Sequence, residues 1–300
     1  MNNIEIVNGI RFKLTSCQDK YGNIKDIGYN LIDLYIILTK KCNVNCSFCE
    51  YHNGLSDINI DKFKDTLNWL LNFCSISTVH FTGGEPTLEI DKLKQLCKII
   101  KQENKLIKTS VNTNGTRLKE LEDIEELDNI ALSRHAISDE DNRKIFNSNL
   151  VPSAEDIGNF KDKHKLHLSC NLIKGYVDSK ENILKYLEFV STLGVNDVGI
   201  VSLMNINEFC NQHYIDFESL DIQENERLIK SRCFRNISEE TGDICCKCEN
   251  YLYRASNMNL ISMYHRYAIK NNEIADYLVY DNNTLKQGFN GNIINYGGKY

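Results

Sequence analysis

No apolar stretch in this 300-residue chain is long enough to span a bilayer, and no apolar leader region precedes the first predicted strand. A membrane-spanning helix and a secretory signal are therefore not expected. A basic excess is missing as well. Lys and Arg number 35 against 41 Asp and Glu, a net charge of −6. That balance argues against a general binder of nucleic-acid duplexes, because nothing is present in excess to neutralise phosphates. Runs such as Lys161-Asp162-Lys163-His164-Lys165 are mixed in sign and read as solvated faces. No internal repeat is visible. Twelve cysteines without a signal peptide imply a reducing, cytoplasmic setting, with metal-binding or reactive roles rather than disulfides.

What is present is concentrated in one stretch. Cys42, Cys46 and Cys49 stand within eight residues at C-x3-C-x2-C spacing, directly after the apolar run Leu34–Leu38. Thiolates at this spacing can hold three irons of a [4Fe–4S] cluster. An electron-transfer cluster would want a fourth cysteine, and the nearest are Cys17 and Cys74. Three protein ligands leave one iron open to a substrate or cofactor. Asn43, Asn45 and Ser47 are small and polar, so the backbone can wrap a cluster and donate N–H groups to its sulfurs. A zinc knuckle, with His52 the only local candidate for a fourth ligand, and three incidental core thiols are the competing readings.

From residue 33 the pattern alternates strand and helix. Strands are predicted at Leu34–Leu38, Thr78–Phe81, Leu106–Val111, Ile130–Ser133, Leu166–Ile173 and Val198–Met204. Helices are predicted at Asp61–Phe73, Ile90–Ile100, Leu118–Leu127, Glu140–Phe146 and Lys180–Leu193. Strands separated by helices of this length predict an α/β fold with a parallel sheet and right-handed crossovers. Ile4–Val7 and Ile10–Leu14 read as a hairpin across Asn8-Gly9. Pro152 and Ser153 fall in an irregular stretch read as a surface loop or lid. Short strands are predicted at Leu252–Tyr253, Leu260–Tyr264, Leu278–Tyr280 and Ile293–Tyr296.

The C-x3-C-x-aromatic-C loop after a first strand resembles the signature of the radical SAM superfamily. The segment His80-Phe81-Thr82-Gly83-Gly84-Glu85-Pro86 resembles that family's "GGEP" segment at the end of the second strand. The resemblance covers roughly residues 30 to 204. It implies a partial (β/α)6 barrel of parallel strands over 31–204, preceded by an N-terminal hairpin or cap (1–30) and followed by a small cysteine-rich C-terminal module (205–300). It also implies a [4Fe–4S] cluster on Cys42, Cys46 and Cys49, and S-adenosylmethionine held by residues at the strand ends. The candidates are Phe48 beside the adenine; Gly83, Gly84, Glu85 and Pro86 at the amino group; Asn114; Ser133 at the ribose; Arg134 as a fork for the carboxylate; and Ile173 and Met204 lining the adenine pocket. An Asn-Gly turn explains Asn114-Gly115 equally well. His135, Asn171, Asn205, Asn207 and Glu208 lie at or beside strand ends and are substrate candidates.

Cys233, Cys245, Cys246 and Cys248 form a candidate auxiliary site, for a second [4Fe–4S] cluster, for zinc, or for no metal at all. Cys210 is a further candidate there. Cys17, Cys74, Cys97 and Cys170 read as small buried apolar residues. The expected reaction is reductive cleavage of S-adenosylmethionine, with a radical that takes hydrogen from a small polar, nucleobase- or sugar-like molecule. The short ends and the missing leader-binding domain favour such a substrate. Among those enzymes the chain as a whole resembles the queuine lyases of deazaguanine salvage, so a lyase is expected. Reduced flavodoxin or ferredoxin is the implied electron donor. A peptide-modifying enzyme and a non-catalytic Fe–S redox protein are the alternatives.

Overall fold

A computed structural model describes residues 4–8, 10–13, 15–18, 24–27, 31–49, 56–222, 226–231, 249–266, 277–289 and 291–295. Its main sheet has twelve strands, numbered here along the chain. They are β1 (Leu31–Thr39), β2 (Ser75–Gly83), β3 (Lys108–Thr113), β4 (Asn129–Ser133), β5 (Leu166–Leu172) and β6 (Asp197–Ser202). Then follow β7 (Leu228–Ser231), β8 (Glu249–Arg254), β9 (Leu260–Arg266), β10 (Tyr277–Asp281), β11 (Thr284–Gln287) and β12 (Ile293–Ile294). The spatial order is β7-β8-β9-β6-β5-β4-β3-β2-β1-β10-β11-β12. Strands from β9 to β10 in that order run parallel, and the outer pairs are antiparallel. The fold is α/β with a mostly parallel sheet. Among the described residues the sheet does not close, since β7 and β12 remain its edges. The C-terminal strands extend this same sheet at both sides: β9 pairs with β6 and β10 pairs with β1.

Alternating side chains point to opposite faces of a strand. One face is aliphatic. Leu34, Ile36, Val79, Phe81, Val111, Ile130, Leu132, Leu168, Cys170, Leu172, Val198 and Ile200 are fully buried. They share one core with the apolar stripes of α1 (Ile60–Leu71), α2 (Ile90–Glu103) and α5 (Lys180–Thr192). Asn59 and Ser179 cap α1 and α5 by accepting from the third residue onward. The other face is polar and aromatic: Asp33, Tyr35, His80, Asn112, Ser133, His167, Ser169, Asn171, Asp197 and Tyr264 alternate with the aliphatic set.

That polar face is the inside of a curl. Tyr35 on β1 is felt electrostatically by Tyr264 and Arg266 on β9. In a flat sheet those strands would stand roughly 29 Å apart. Only a curled sheet brings them within range, which is the geometry of a partial barrel.

Two predicted elements differ. Leu118–Leu127 forms a 3₁₀ turn at Leu118–Leu121 followed by turns. Its apolar residues Leu118, Leu121, Ile124 and Leu127 are all buried. They recur every three residues, a spacing that suits 3₁₀ winding and drifts around an α-helix. Pro152 is not in an exposed loop. Val151 and Pro152 are buried, and Ser153 opens the short helix α4 (Ala154–Gly158) with a capping box on Asp156. The hairpin of Ile4–Val7 with Ile10–Lys13 is present, with Asn8 in the left-handed region (φ 50°). A second pair, Thr15–Gln18 with Ile24–Ile27, follows it. Among the described residues no helix is long and apolar enough to cross a membrane.

Candidate active site

The parallel strands end together, and the cysteine loop leaves β1 at that edge. Pairing between β1 and β2 shifts register between Ile37 and Thr39, just before the loop. Such a bulge re-aims the chain as it exits. The ladder then continues past the strand ends: Gly84 N–H donates to Thr39 O (2.7 Å) and Glu85 N–H donates to Lys41 O (2.8 Å). A Cβ on Gly84 would lie 2.0 Å from Lys41 O, and one on Gly83 would lie 2.2 Å from Thr39 O. Gly83 also has φ of 119°. Thus the two glycines let the chain press against the cysteine loop, a closer need than approach to a ligand.

Several contacts tie the loop to neighbouring segments, while the Asn43 and Val44 backbones turn inward to Cys42. Asn43 donates to Thr116 Oγ1 (2.7 Å) and accepts from Asn114 Nδ2 (2.9 Å). Asn45 N–H donates to Phe146 O at the end of α3 (Asp139–Phe146). Asn207, which caps α6 (Glu208–His213), donates to Ser47 O (3.2 Å). Phe48 meets His135 edge to face at 4.9 Å and Phe146 at 6.4 Å. Three neighbouring chain segments thus frame the loop around its cysteines.

Those cysteines are thiols, one exposed and two half-buried. Burial pushes the Cys42 and Cys46 thiols up, and the three sulfurs repel one another as thiolates. A cationic metal group is what would stabilise three thiolates in this setting. Among the described residues no three Cys, His, Asp or Glu side chains are placed to hold a single metal ion. Three thiolates at C-x3-C-x2-C spacing are the donor set of a [4Fe–4S] cluster with one iron left open. Asn114 Nδ2 lies 3.9 Å from Cys42 Sγ, a long N–H···S contact of the kind that supports a ligating sulfur.

Glu85 is buried, yet it faces no cation. Its Oε1 accepts from Thr87 N (3.0 Å), Thr87 Oγ1 (2.6 Å) and Thr113 Oγ1 (2.8 Å), and its Oε2 accepts from Asn114 N (2.7 Å). Burial raises its carboxyl while these four bonds pull it down. Glu85 therefore locks the β2 and β3 ends together, and Pro86 opens a short 3₁₀ turn behind it.

Arg134 overturns an expectation. It was the anticipated fork for a carboxylate at the cofactor, but its side chain is turned inward and fully buried. It donates to Ala136 O (2.9 Å), Ile137 O (2.7 Å) and Pro152 O (3.3 Å), pairs with Asp139 at 2.8 Å, and lies over the Phe189 ring. Four of its five N–H groups are thus committed to carbonyls and to Asp139, away from the strand ends. Alternation explains the error: Ser133 points to the inner face, so Arg134 points away from it.

His135 is 2% exposed. It lies flat on Phe146 (5.1 Å, 9°), and its Nδ1 accepts from Asn171 N (3.0 Å). The proton therefore sits on Nε2, which has no partner among the described residues. Burial and the neighbouring Arg134 cation lower this imidazole to about 3, so it is neutral.

The other candidates scatter. Ile173 is buried in a small cluster with Ala136, Ile145, Leu203 and Cys210, against which Phe48 packs. Met204 is exposed and outside that cluster. Asn205 is exposed, and exposed Glu208 accepts from Gln212 within α6. Asn171 faces the inner side, two residues beyond Ser169, the register partner of Ser133. Cys210 leans on the loop, with its Sγ 3.5 Å from Phe48 O. Cys74, Cys97 and Cys170 are buried as expected. Cys233, Cys245, Cys246 and Cys248 lie outside the described residues, as does His52. Sequence reasoning missed Asn43, Thr113 and Thr116 as loop anchors, and Tyr35, His80, Asn112, His167 and Tyr264 as inner-face residues. Their signal was the polar half of each strand's alternation.

Comparison with known proteins agrees with this geometry. A family model for the Radical SAM superfamily matches residues 36–187, just over half of the chain. A "Probable GTP 3',8-cyclase" of Saccharolobus islandicus is 33% identical over 187 residues, covering 60% of this chain and 59% of the relative. One of Sulfolobus acidocaldarius is 28% identical over 210 residues, covering 67% and 65%. The chain thus spans about three fifths of the length of the first of these. Among solved structures, Streptococcus suis SuiB bound to S-adenosylmethionine superposes with a TM-score of 0.48 at 18% identity, covering 62% of this chain and 44% of that one.

Proposed function

The chain belongs to the radical SAM superfamily, and from that premise we propose that it acts on a small polar molecule of the nucleotide or nucleobase class, bound on the inner face of the sheet. The family's cofactors are a [4Fe–4S] cluster and S-adenosylmethionine. When bound, they supply an electron, reductive cleavage of the sulfonium and a 5′-deoxyadenosyl radical that takes hydrogen from the substrate.

The chain's own residues supply position and exclusion of water. Cys42, Cys46 and Cys49 would hold the cluster, and Asn114 would support the sulfur of Cys42. Phe48, backed by Ile173 and Leu203, forms an apolar wall beside the loop. Ser133 and Ser169, paired across β4 and β5, and Asn171 two residues further along β5 face inward as polar contacts for the ribose or the substrate. Glu85 and Arg134 act at one remove by fixing strand ends. The Gly83-Gly84 segment beside the loop would receive the amino group of the methionine moiety.

The observation that carries the substrate class is the inner face itself. Hydroxyl, amide, imidazole and phenol groups line it where a peptide groove would want apolar pockets. The names of the curated relatives point the same way. Ring closure and release of a base can both follow from hydrogen abstraction on the sugar, so cyclase and lyase remain two forms of one proposal. An external one-electron donor such as reduced flavodoxin or ferredoxin would serve the cluster. Cys233, Cys245, Cys246 and Cys248 are proposed to hold an auxiliary metal.

The test uses anaerobically reconstituted protein with S-adenosylmethionine and dithionite. GTP and queuosine, each deuterated on the ribose or cyclitol carbons, are added separately. Deuterium in 5′-deoxyadenosine from either one supports the reading. Steady 5′-deoxyadenosine with no deuterium from any nucleotide or nucleoside would move the substrate to the peptide class.

A further inference from the structure

Three inner-face residues outside the cofactor region are joined in a chain. Asp197 is the first residue of β6, and His167 is the second of β5. Both stand at the amino-terminal edge of the sheet, opposite the cysteine loop. His167 Nδ1 lies 3.0 Å from Asp197 Oδ2, and His167 Nε2 lies 3.1 Å from the Tyr264 hydroxyl. The imidazole is 3% exposed and the Asp197 side chain 30% exposed. The His167 and Tyr264 rings are stacked at 5.3 Å.

This contact is built into the sheet. Tyr264 on β9 sits in register with Gly199 on β6, which separates β9 from β5. A Cβ at position 199 would lie 2.6 Å from the Tyr264 hydroxyl oxygen and 2.8 Å from His167 Nε2. Glycine there lets the phenol lean across one whole strand to reach the imidazole. Partner chemistry sets the protons. An ionised carboxylate only accepts, so His167 carries its proton on Nδ1. Nε2 is then an acceptor, and the phenol donates to it.

We propose that Asp197, His167 and Tyr264 form a proton relay between solvent at the amino-terminal edge and the inner face, with Tyr264 as the group that takes a proton from a bound hydroxylated molecule. The step balances as follows. The Tyr264 O–H bond breaks and its proton passes to His167 Nε2. The phenolate oxygen takes the proton of a ligand O–H, leaving the ligand oxygen anionic. His167, now doubly protonated, releases its Nδ1 proton through Asp197 to solvent. No electron moves within the relay. The ligand class rests on the proposed function: removing hydrogen from a carbon makes a hydroxyl on that carbon more acidic, so a sugar-like molecule would present such a proton. Tyr35, Arg266, Asp33, Tyr277 and His80, which stacks on Tyr35, are other titratable groups facing this region.

The relay is testable without a substrate. Holoenzyme is labelled with ¹³Cζ-tyrosine and ¹⁵N-histidine and measured in equal H₂O and D₂O without S-adenosylmethionine. Isotope splitting at Tyr264 Cζ, assigned with Tyr264→Phe, reads how fast its hydroxyl exchanges with solvent. Asp197→Asn keeps a hydrogen-bond acceptor but takes up no proton, so exchange should slow tenfold or more. Asp197→Glu should restore it, and Tyr35 should be unchanged in both. Equal Tyr264 exchange in wild type and Asp197→Asn, or a His167 tautomer with the proton on Nε2, would overturn the relay. Loss of the radical reading would show elsewhere, as no 5′-deoxyadenosine once S-adenosylmethionine and dithionite are added.

Discussion

Leu168 and Ser169 are consecutive residues of β5, and they face opposite sides of the sheet. Leu168 is fully buried against the helices. Ser169 is partly exposed on the inner face, between His167 and Asn171. The same alternation runs through every strand from β1 to β6. One face is aliphatic and close-packed, and hydrophobic burial there holds the fold. The other carries polar groups whose hydrogen bonds are partly made among themselves and partly left to a ligand. The lesson is that stability and chemistry occupy separate faces here, so a substitution should disturb one with little effect on the other.

Arg134 is the strictest challenge to that separation, because it sits at the active-site edge yet belongs to the buried side. Arg134→Met should cost about 3–5 kcal/mol in urea unfolding, since Asp139 and three carbonyls lose their partner. A cost under 1 kcal/mol, with loss of S-adenosylmethionine binding instead, would return Arg134 to the cofactor. Leu168→Ala should cost about 2–5 kcal/mol. Ser169→Ala, one residue away, should stay within about 0.5 kcal/mol. Comparable losses at the two would break the division of faces. Gly84→Ala should cost roughly 1–3 kcal/mol through overpacking against Lys41 O, and should lower iron per chain by displacing the cysteine loop.

Acid sensitivity sharpens the comparison further. His135 is held neutral down to about 3, against an ordinary value near 6.5. Between those values the unfolded chain binds more protons than the native one. Stability should therefore fall as pH falls through that window. His135→Gln should flatten this slope, measured as the urea midpoint against pH. Glu85 works in the opposite sense. Its carboxyl is raised by burial, so the native state holds its proton longer. That contribution is lost as pH rises from the ordinary carboxylate range, and Glu85→Gln should remove it.

Much of this was legible in the sequence, for identifiable reasons. The six core strands and the cysteine loop announce themselves because aliphatic runs and Cys spacing are local signals. Strand edges such as Leu34–Leu38 grew by a few residues at each end when pairing was added. The third helix failed because its apolar residues recur at three rather than at 3.6. What Arg134 and Glu85 bond to was not legible, because a charged residue next to a motif looks like part of it, whereas burial and partner count are properties of the folded chain. The places of β9 and β10 beside β6 and β1 were not readable either. Pairing of residues 260–266 with β6 and 277–281 with β1 is non-local, and no local pattern encodes it. The Asp197–His167–Tyr264 contact was hidden for the same reason, although Gly199 in a strand was a usable clue.

The central claim is that the Cys42 loop holds the cluster that drives cleavage of S-adenosylmethionine. It is tested by counting iron and sulfide in anaerobically reconstituted wild type and in the Cys42→Ala/Cys46→Ala/Cys49→Ala variant, then adding S-adenosylmethionine and dithionite. The expected result is 5′-deoxyadenosine from wild type alone, with about four fewer irons per chain in the variant. Any iron that remains in the variant reports on the C-terminal cysteines. Cluster-loaded wild type that yields no 5′-deoxyadenosine, or a variant that yields as much, would contradict the claim.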